Sequence, residues 1–113
     1  MSEDRHVLPE CHVARFLAVL EGPWATLIVR ELLSGPKRFT ELRAGLPGIS
    51  PKTLSARLKR LEETRLVTRT SYPEVPPRVE YELTPAGARL ERVLAAMAEW
   101  AERDLPREIP VPA

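Results

Sequence analysis

The sequence predicts a mainly α-helical domain that carries one small antiparallel β-hairpin. Apolar residues recur at helical spacing in five segments. Proline or glycine punctuates the chain between most of these segments. Two short pieces near the middle alternate instead and are rich in β-branched residues. At 113 residues the chain has the size of one domain, which we expect to span residues 1–113 with loose tails over about 1–8 and 106–113.

The first half of the chain predicts three helices. "ECHVARFLAVLEG" has helical apolar spacing and stops at Gly22. "PWATLIVRELLSG" follows, with Pro23 in its first turn and Gly35 after its end. Its wide apolar stripe predicts a central core helix. A short third helix is expected over about 39–44, before a turn at "PG".

The stretch "GISPKTLSARLKRLEETRLVTRT" predicts a helix with a polar, basic outer face. Ser50 is a good cap, and the proline that follows suits a first helical turn. Leu54, Leu58 and Leu61 lie within about 60° of one another on a helix and form a narrow apolar seam. The residues that point largely away from this seam are Lys52, Ser55, Ala56, Lys59 and Arg60, while Thr53 and Arg57 flank it.

A hairpin and a last helix complete the predicted fold. "RLVTRT" and "RVEYELT" favour two strands, and the three prolines of "SYPEVPPRVEYELT" suit a stiff tip rather than a central strand. "TPAGARLERVLAAMAEWAERDL" predicts one continuous helix capped by Thr84. The whole order is that of a helix-turn-helix with a two-stranded wing.

The charge of the chain is unevenly distributed. The net charge is only +1, but residues 30–70 hold ten basic and four acidic side chains. This asymmetry favours a polyanionic partner, against the alternative of a merely solvated helical face. A helix about 10–12 Å across also suits a major groove about 12 Å wide.

Other features of the sequence limit the classes of protein. No apolar run approaches the roughly 18 residues of a membrane span, and no secretory signal is present, so we expect a cytoplasmic protein without a membrane partner. A single cysteine excludes an intrachain disulfide and a cysteine-cluster metal site. We find no phosphate-binding loop, cofactor motif or catalytic constellation, and predict a non-enzyme without metal or cofactor.

Between about Cys11 and Trp100 the chain closely resembles the HxlR-type winged helix-turn-helix regulators of bacteria, relatives of the MarR group. The most specific pieces are "RFTEL", "LPGISPKTLSARLKRLE" and "YPEVPPRVEYELT". The resemblance implies a homodimeric transcription factor on a palindromic operator. It implies that the first and last helices form the dimer interface, that residues 50–64 enter the major groove, and that the wing at about 72–80 meets backbone or minor groove. The chain departs from the family's frequent Gly-Lys-Trp and Cys-Pro, because it has Pro23 and His12 at those positions.

The candidate DNA-binding residues are Lys37, Arg38, Ser50, Lys52, Thr53, Ser55, Ala56, Arg57, Lys59, Arg60, Arg69 and Arg78. Early helical positions lie deepest in the groove in this motif class, so we expect base contacts from Lys52, Thr53, Ala56 and Arg57. Lys59 and Arg60 are expected on phosphates. For Arg78 we favour a DNA contact over pairing with Glu74 or Glu80, while Arg69, Lys37 and Arg38 stay open between phosphate contact and no role.

The last helix carries more apolar surface than the rest of the domain can cover. The dimer candidates are Phe16, Leu17, Leu90, Val93, Leu94, Met97 and Trp100, although some of them must serve the chain's own core. Cys11 is a candidate redox sensor, with an inert thiol as the alternative. A ligand-controlled regulator and a protein-binding winged-helix module are the competing functions. The second is disfavoured because the basic helix shows no apolar anchors.

Overall fold

The computed structural model describes residues 7–111. Its elements, in chain order, are α1 (His12–Val19), α2 (Gly22–Leu32), α3 (Phe39–Gly45), α4 (Pro51–Glu63), β1 (Val67–Tyr72), β2 (Arg78–Leu83), α5 (Pro85–Ala88) and α6 (Leu90–Asp104). The predicted fold class, helices with one antiparallel hairpin, is confirmed. The expected tails lie partly outside the described residues, and residues 7–8 and 106–111 contain no helix or strand.

The core lies where α2 packs against α3 and α4. Ile28, Val29 and Leu32 of α2 are buried, and Leu42 of α3 is fully buried beside them. The predicted leucine seam of α4 is confirmed, because Leu54, Leu58 and Leu61 are 0%, 1% and 0% exposed. This burial anchors one face of α4 and leaves the opposite face in solvent.

The hairpin is tied to the helical body along one edge. Its register pairs Val67 with Leu83 at the base and Tyr72 with Arg78 at the tip. The segment between α2 and α3 adds a bridge to the other edge of β2, because the Lys37 and Tyr81 backbones exchange hydrogen bonds of 2.8 and 2.9 Å. The wing therefore has a fixed base and a projecting tip.

The prediction of one continuous last helix was wrong. A turn at Arg89, with ψ of −12°, separates α5 from α6. Thr84 caps α5 as expected, since its hydroxyl accepts a hydrogen bond from the Gly87 amide at 3.1 Å. Gly87 is buried against the Leu66 backbone, whereas α6 follows its own apolar stripe onto the core. These two packing demands account for the break.

Within residues 7–111, no single helix is long and apolar enough to cross a membrane. Helices α1 and α2 pass the test of length and composition only when they are taken together, and they are bent by 83° at the break between them.

Candidate nucleic-acid interface

The start of α4 is locked by its own side chains. The Ser50 hydroxyl accepts a hydrogen bond from the Thr53 amide at 3.0 Å, which confirms the predicted cap. The same hydroxyl lies 2.9 Å from the Thr53 hydroxyl. Because proline follows Ser50, the first turn also needs no amide hydrogen bond there. The N-terminal turn of α4 is thus rigid before any partner arrives.

The outer face of α4 is polar and basic. The exposed side chains on it are those of Lys52, Ser55, Ala56, Lys59 and Arg60, as the sequence predicted. Among residues 7–111, none of these cations takes part in an ion pair. The helix is 13 residues long, which is about 20 Å at 1.5 Å per residue. Its last turn carries Glu62 and Glu63, so the positive electrostatic potential of the helix is concentrated in the first three turns.

Arg57 occupies a different position from the other basic residues of α4. Its side chain is half-buried on the flank of the helix. The Arg57 Nη2 and Cζ atoms lie 3.5 and 3.8 Å from the point where a Cβ on Gly22 would stand. The guanidinium therefore rests against the start of α2. The residue after Gly22 is Pro23, the position at which members of the family often have a lysine.

Two basic residues, Lys37 and Arg38, lie directly before α3, and only Arg38 is exposed. The Arg38 amide donates to the Glu41 carboxylate at 2.8 Å, which leaves the exposed Arg38 side chain outside the cap. Lys37 is half-buried and its backbone belongs to the bridge with β2. The structure therefore associates Lys37 with the wing.

The guanidinium of Arg78 is engaged within the wing, as in the alternative that the sequence analysis weighed against a DNA contact. Arg78 is 28% exposed and pairs with Glu74 at 2.8 Å and with Glu80 at 3.3 Å. It also stacks over the Tyr72 ring, 4.0 Å from the centroid. The pairing that the sequence analysis placed second is the one observed. Arg69 is exposed and donates a 3.3 Å hydrogen bond to the Ser71 hydroxyl.

The predicted dimer residues fall into two groups. Phe16, Leu90 and Leu94 are partly buried and pack against the chain's own core. Leu17, Val93, Met97 and Trp100 are exposed, by 59%, 40%, 50% and 58% respectively. The second group forms an apolar face on α1 and α6 that residues 7–111 leave exposed. Cys11 is exposed at the start of α1.

Sequence reasoning missed two features of the wing. Tyr72 contributes its ring to the environment of Arg78, and the cross-strand register is the signal that places the two residues opposite each other. Val75 stands at the tip with its side chain fully exposed, at 101%. The flanking prolines predicted a stiff tip but not which side chain would project from it.

An anchored helix with a basic outer face, next to a projecting hairpin, defines a winged helix-turn-helix DNA-binding protein. The family model of the HxlR-like helix-turn-helix matches residues 19–109, and the chain belongs to that family. The resemblance found in the sequence is thereby confirmed.

Relatives and solved structures agree with this assignment. An uncharacterized HTH-type transcriptional regulator of Synechocystis, sll1512, is 42% identical over 106 residues, covering 90% of this chain and 76% of the relative. A MarR-family putative transcriptional regulator of Porphyromonas gingivalis superposes with a TM-score of 0.80 at 35% identity, over 90% of this chain and all of that one. The redox regulator HypR, in its oxidized form, gives 0.79 at 37% identity, over 88% of this chain and all of that one. The protein is thus a transcriptional regulator with a helix-turn-helix DNA-binding domain, and its family is not one of enzymes.

Proposed function

We propose that this regulator binds a palindromic operator in the cytoplasm as a homodimer, with α4 of each protomer in the major groove. The observation that carries the proposal is the division of α4 into two faces. Three leucines on one face are at most 1% exposed, while the opposite face presents small polar groups and cations that have no ion pair among residues 7–111. A helix held in this way can insert its outer face into a groove without unfolding its own core.

We assign different tasks to the residues of α4. Lys52, Thr53 and Ala56, in the first two turns, face the base edges, while Lys59 and Arg60 neutralise phosphates. Ser50 positions the first turn through its cap and can also touch a phosphate. The Arg57 side chain lies against the start of α2 and must leave that position to reach a base. We therefore assign Arg57 either a base contact or a contact with a phosphate near the start of α2. Ser55 and the exposed cations Arg38 and Arg69 extend the contact surface.

The apolar face of α6 supports the dimer. Val93, Ala96, Met97 and Trp100 line an open hollow of about 730 Å³ whose walls are almost entirely apolar. An exposed apolar surface of this kind is typical of a protein interface. To bind two half-sites one turn of DNA apart, a two-fold dimer must hold its two copies of α4 about 34–36 Å apart.

Selection of genomic DNA tests the function. Purified protein is mixed with sheared DNA of the source organism at about 150 mM salt, and the recovered fragments are sequenced. We expect a few sites that share an inverted repeat. Recovery of random DNA that is lost at slightly higher salt would mean that α4 attracts DNA only by its charge, without sequence selectivity. A monomer at micromolar concentration in sedimentation would refute the dimer.

A redox-responsive regulator is the second candidate. It is favoured by the exposure of Cys11 at the start of α1, the helix that also carries the exposed Leu17, and by the likeness to a redox regulator. Oxidation of Cys11 would then change the dimer and its DNA affinity. We expect peroxide or diamide to change the operator affinity of the wild type and to leave Cys11→Ser unaffected. Equal behaviour of the two proteins would dismiss the idea.

A further inference from the structure

The tip of the wing is held by a cluster of four side chains, which we call the Arg78 clasp. It consists of Arg78 with Tyr72, Glu74 and Glu80. Tyr72 and Arg78 are opposite each other in the register and close the tip, residues 73–77. The Glu74 amide donates to the Tyr72 carbonyl at 2.8 Å, so the tip turns sharply as it leaves β1. The ion pair of Arg78 with Glu74 then spans the tip at 2.8 Å.

The charges of the clasp do not suit a phosphate contact. One guanidinium faces two carboxylates, so the cluster as a whole is negative. The Nε atom of Arg78 is buried, has no hydrogen-bond partner among residues 7–111, and is not directed into solvent. A phosphate would have to displace a carboxylate from Arg78 while it approached the other one. Such a displacement exchanges one charge-assisted pair for another and gains little.

We propose that Arg78 is a positioning residue that fixes the wing tip for its contact with DNA, rather than a DNA contact itself. This inference rests on the proposed function, together with the contact between wing and DNA that the family resemblance implies. Val75 lies in the tip that the clasp closes, with its side chain fully exposed between the exposed Pro73 and Pro76. A tip that is ordered in advance loses less conformational entropy when it meets the groove.

The other arginine of the wing is independent of the clasp. Arg69 pairs with Tyr81 in the register, three residues before Tyr72. Side chains alternate between the faces of a strand, so Arg69 and Arg78 lie on opposite faces of the hairpin. If the wing contacts a phosphate, Arg69 is therefore the arginine available for it.

The first test is Arg78→Lys, measured by fluorescence anisotropy on a selected operator. Lysine keeps the charge but has no planar fork to bridge two carboxylates. If Arg78 fixes the tip, we expect binding to weaken by about fivefold to tenfold, an estimate from the cost of ordering a few side chains on binding. The Glu74 amide should also exchange its hydrogen faster in the free protein. Wild-type affinity in Arg78→Lys would overturn the proposal, since lysine can replace arginine at a simple phosphate contact.

The second test compares Glu80→Gln with Glu82→Gln. Glu82 lies two residues further along β2 and has no ion pair among residues 7–111, so it reports the general gain from removing an acid near DNA. The clasp predicts that Glu80→Gln binds more weakly than Glu82→Gln. A direct contact by Arg78 predicts the reverse, because the arginine would be released from a competing carboxylate. Tighter binding by Glu80→Gln than by Glu82→Gln therefore overturns the proposal.

Failure of the clasp can be separated from failure of the proposed function. Lys59→Ala is measured on the same operator as a reference for the major-groove helix. A reduced salt dependence in Lys59→Ala, together with wild-type affinity in Arg78→Lys, removes the clasp and keeps the function. Absence of any sequence-selective binding by the wild type removes the proposed function and the clasp with it.

Discussion

Replacement of Lys59 by alanine tests the phosphate-binding role of α4 quantitatively. Lys59 is exposed on the outer face and has no ion pair among the described residues, so its full charge is available to DNA. Each neutralised phosphate adds about −0.9 to the slope of log K against log salt. A dimer carries two copies, so Lys59→Ala should make the slope shallower by about 1.8. If the variant and the wild type bind equally at about 1 M salt, this difference in slope corresponds to about a thirtyfold loss of affinity for Lys59→Ala at about 150 mM salt.

The assay is fluorescence anisotropy of labelled operator between about 50 and 300 mM salt, with scrambled DNA in parallel. We expect Lys59→Ala to weaken both DNAs by a similar factor. Arg103→Ala is the matched control, because Arg103 is exposed on α6 and already paired with Glu99 at 3.4 Å. An unchanged slope in Lys59→Ala would refute the role assigned to Lys59. A loss confined to the operator would instead make Lys59 a base contact.

Three further substitutions and one control test the dimer and the packing that supports the site. Met97 is half-exposed in the apolar hollow. Met97→Glu should convert the dimer to a monomer in sedimentation, because the new charge would be buried in the interface without a partner. A dimer of unchanged stability would place the interface elsewhere. Gly87→Ala should lower the free energy of unfolding by about 1–3 kcal/mol or more, since its Cβ would overlap the Leu66 carbonyl oxygen. In the control Gly45→Ala the three atoms nearest to the new Cβ belong to the movable Glu31 side chain, so this substitution should cost little. Equal thermal midpoints of the two variants would contradict this reasoning. Leu58→Ala should cost about 2–5 kcal/mol in denaturant unfolding, as a buried leucine of the core, and a cost under about 1 kcal/mol would mean that α4 is not anchored by its seam.

The elements that the sequence predicted well depend on short-range interactions. The start of α4 follows from a serine cap and a proline, and both act within one helical turn. The leucine seam follows from the period of the helix, so its burial was predictable as soon as the helix was recognised. The prolines of the wing likewise marked the tip, because proline acts on the backbone of its neighbours.

Features that the sequence did not predict depend on contacts between distant segments. The break at Arg89 arises because Gly87 packs on the backbone of Leu66, which lies 21 positions earlier in the chain. Nothing in the local sequence distinguishes this glycine from one that is merely tolerated in a helix. The place of Arg57 against Gly22 is of the same kind, since it requires α2 and α4 to be packed together first.

The sequence by itself determined the class of this protein, since helical periods, caps and an uneven charge distribution already define a basic helix beside a wing. Only the tertiary structure decided which charges stay available to a partner. The register of the hairpin brings Tyr72, Glu74 and Glu80 around Arg78, while Lys59 has no such neighbour among the described residues. The physical reason is that an ion pair depends on a few ångströms of separation in space, which spacing along the chain does not determine.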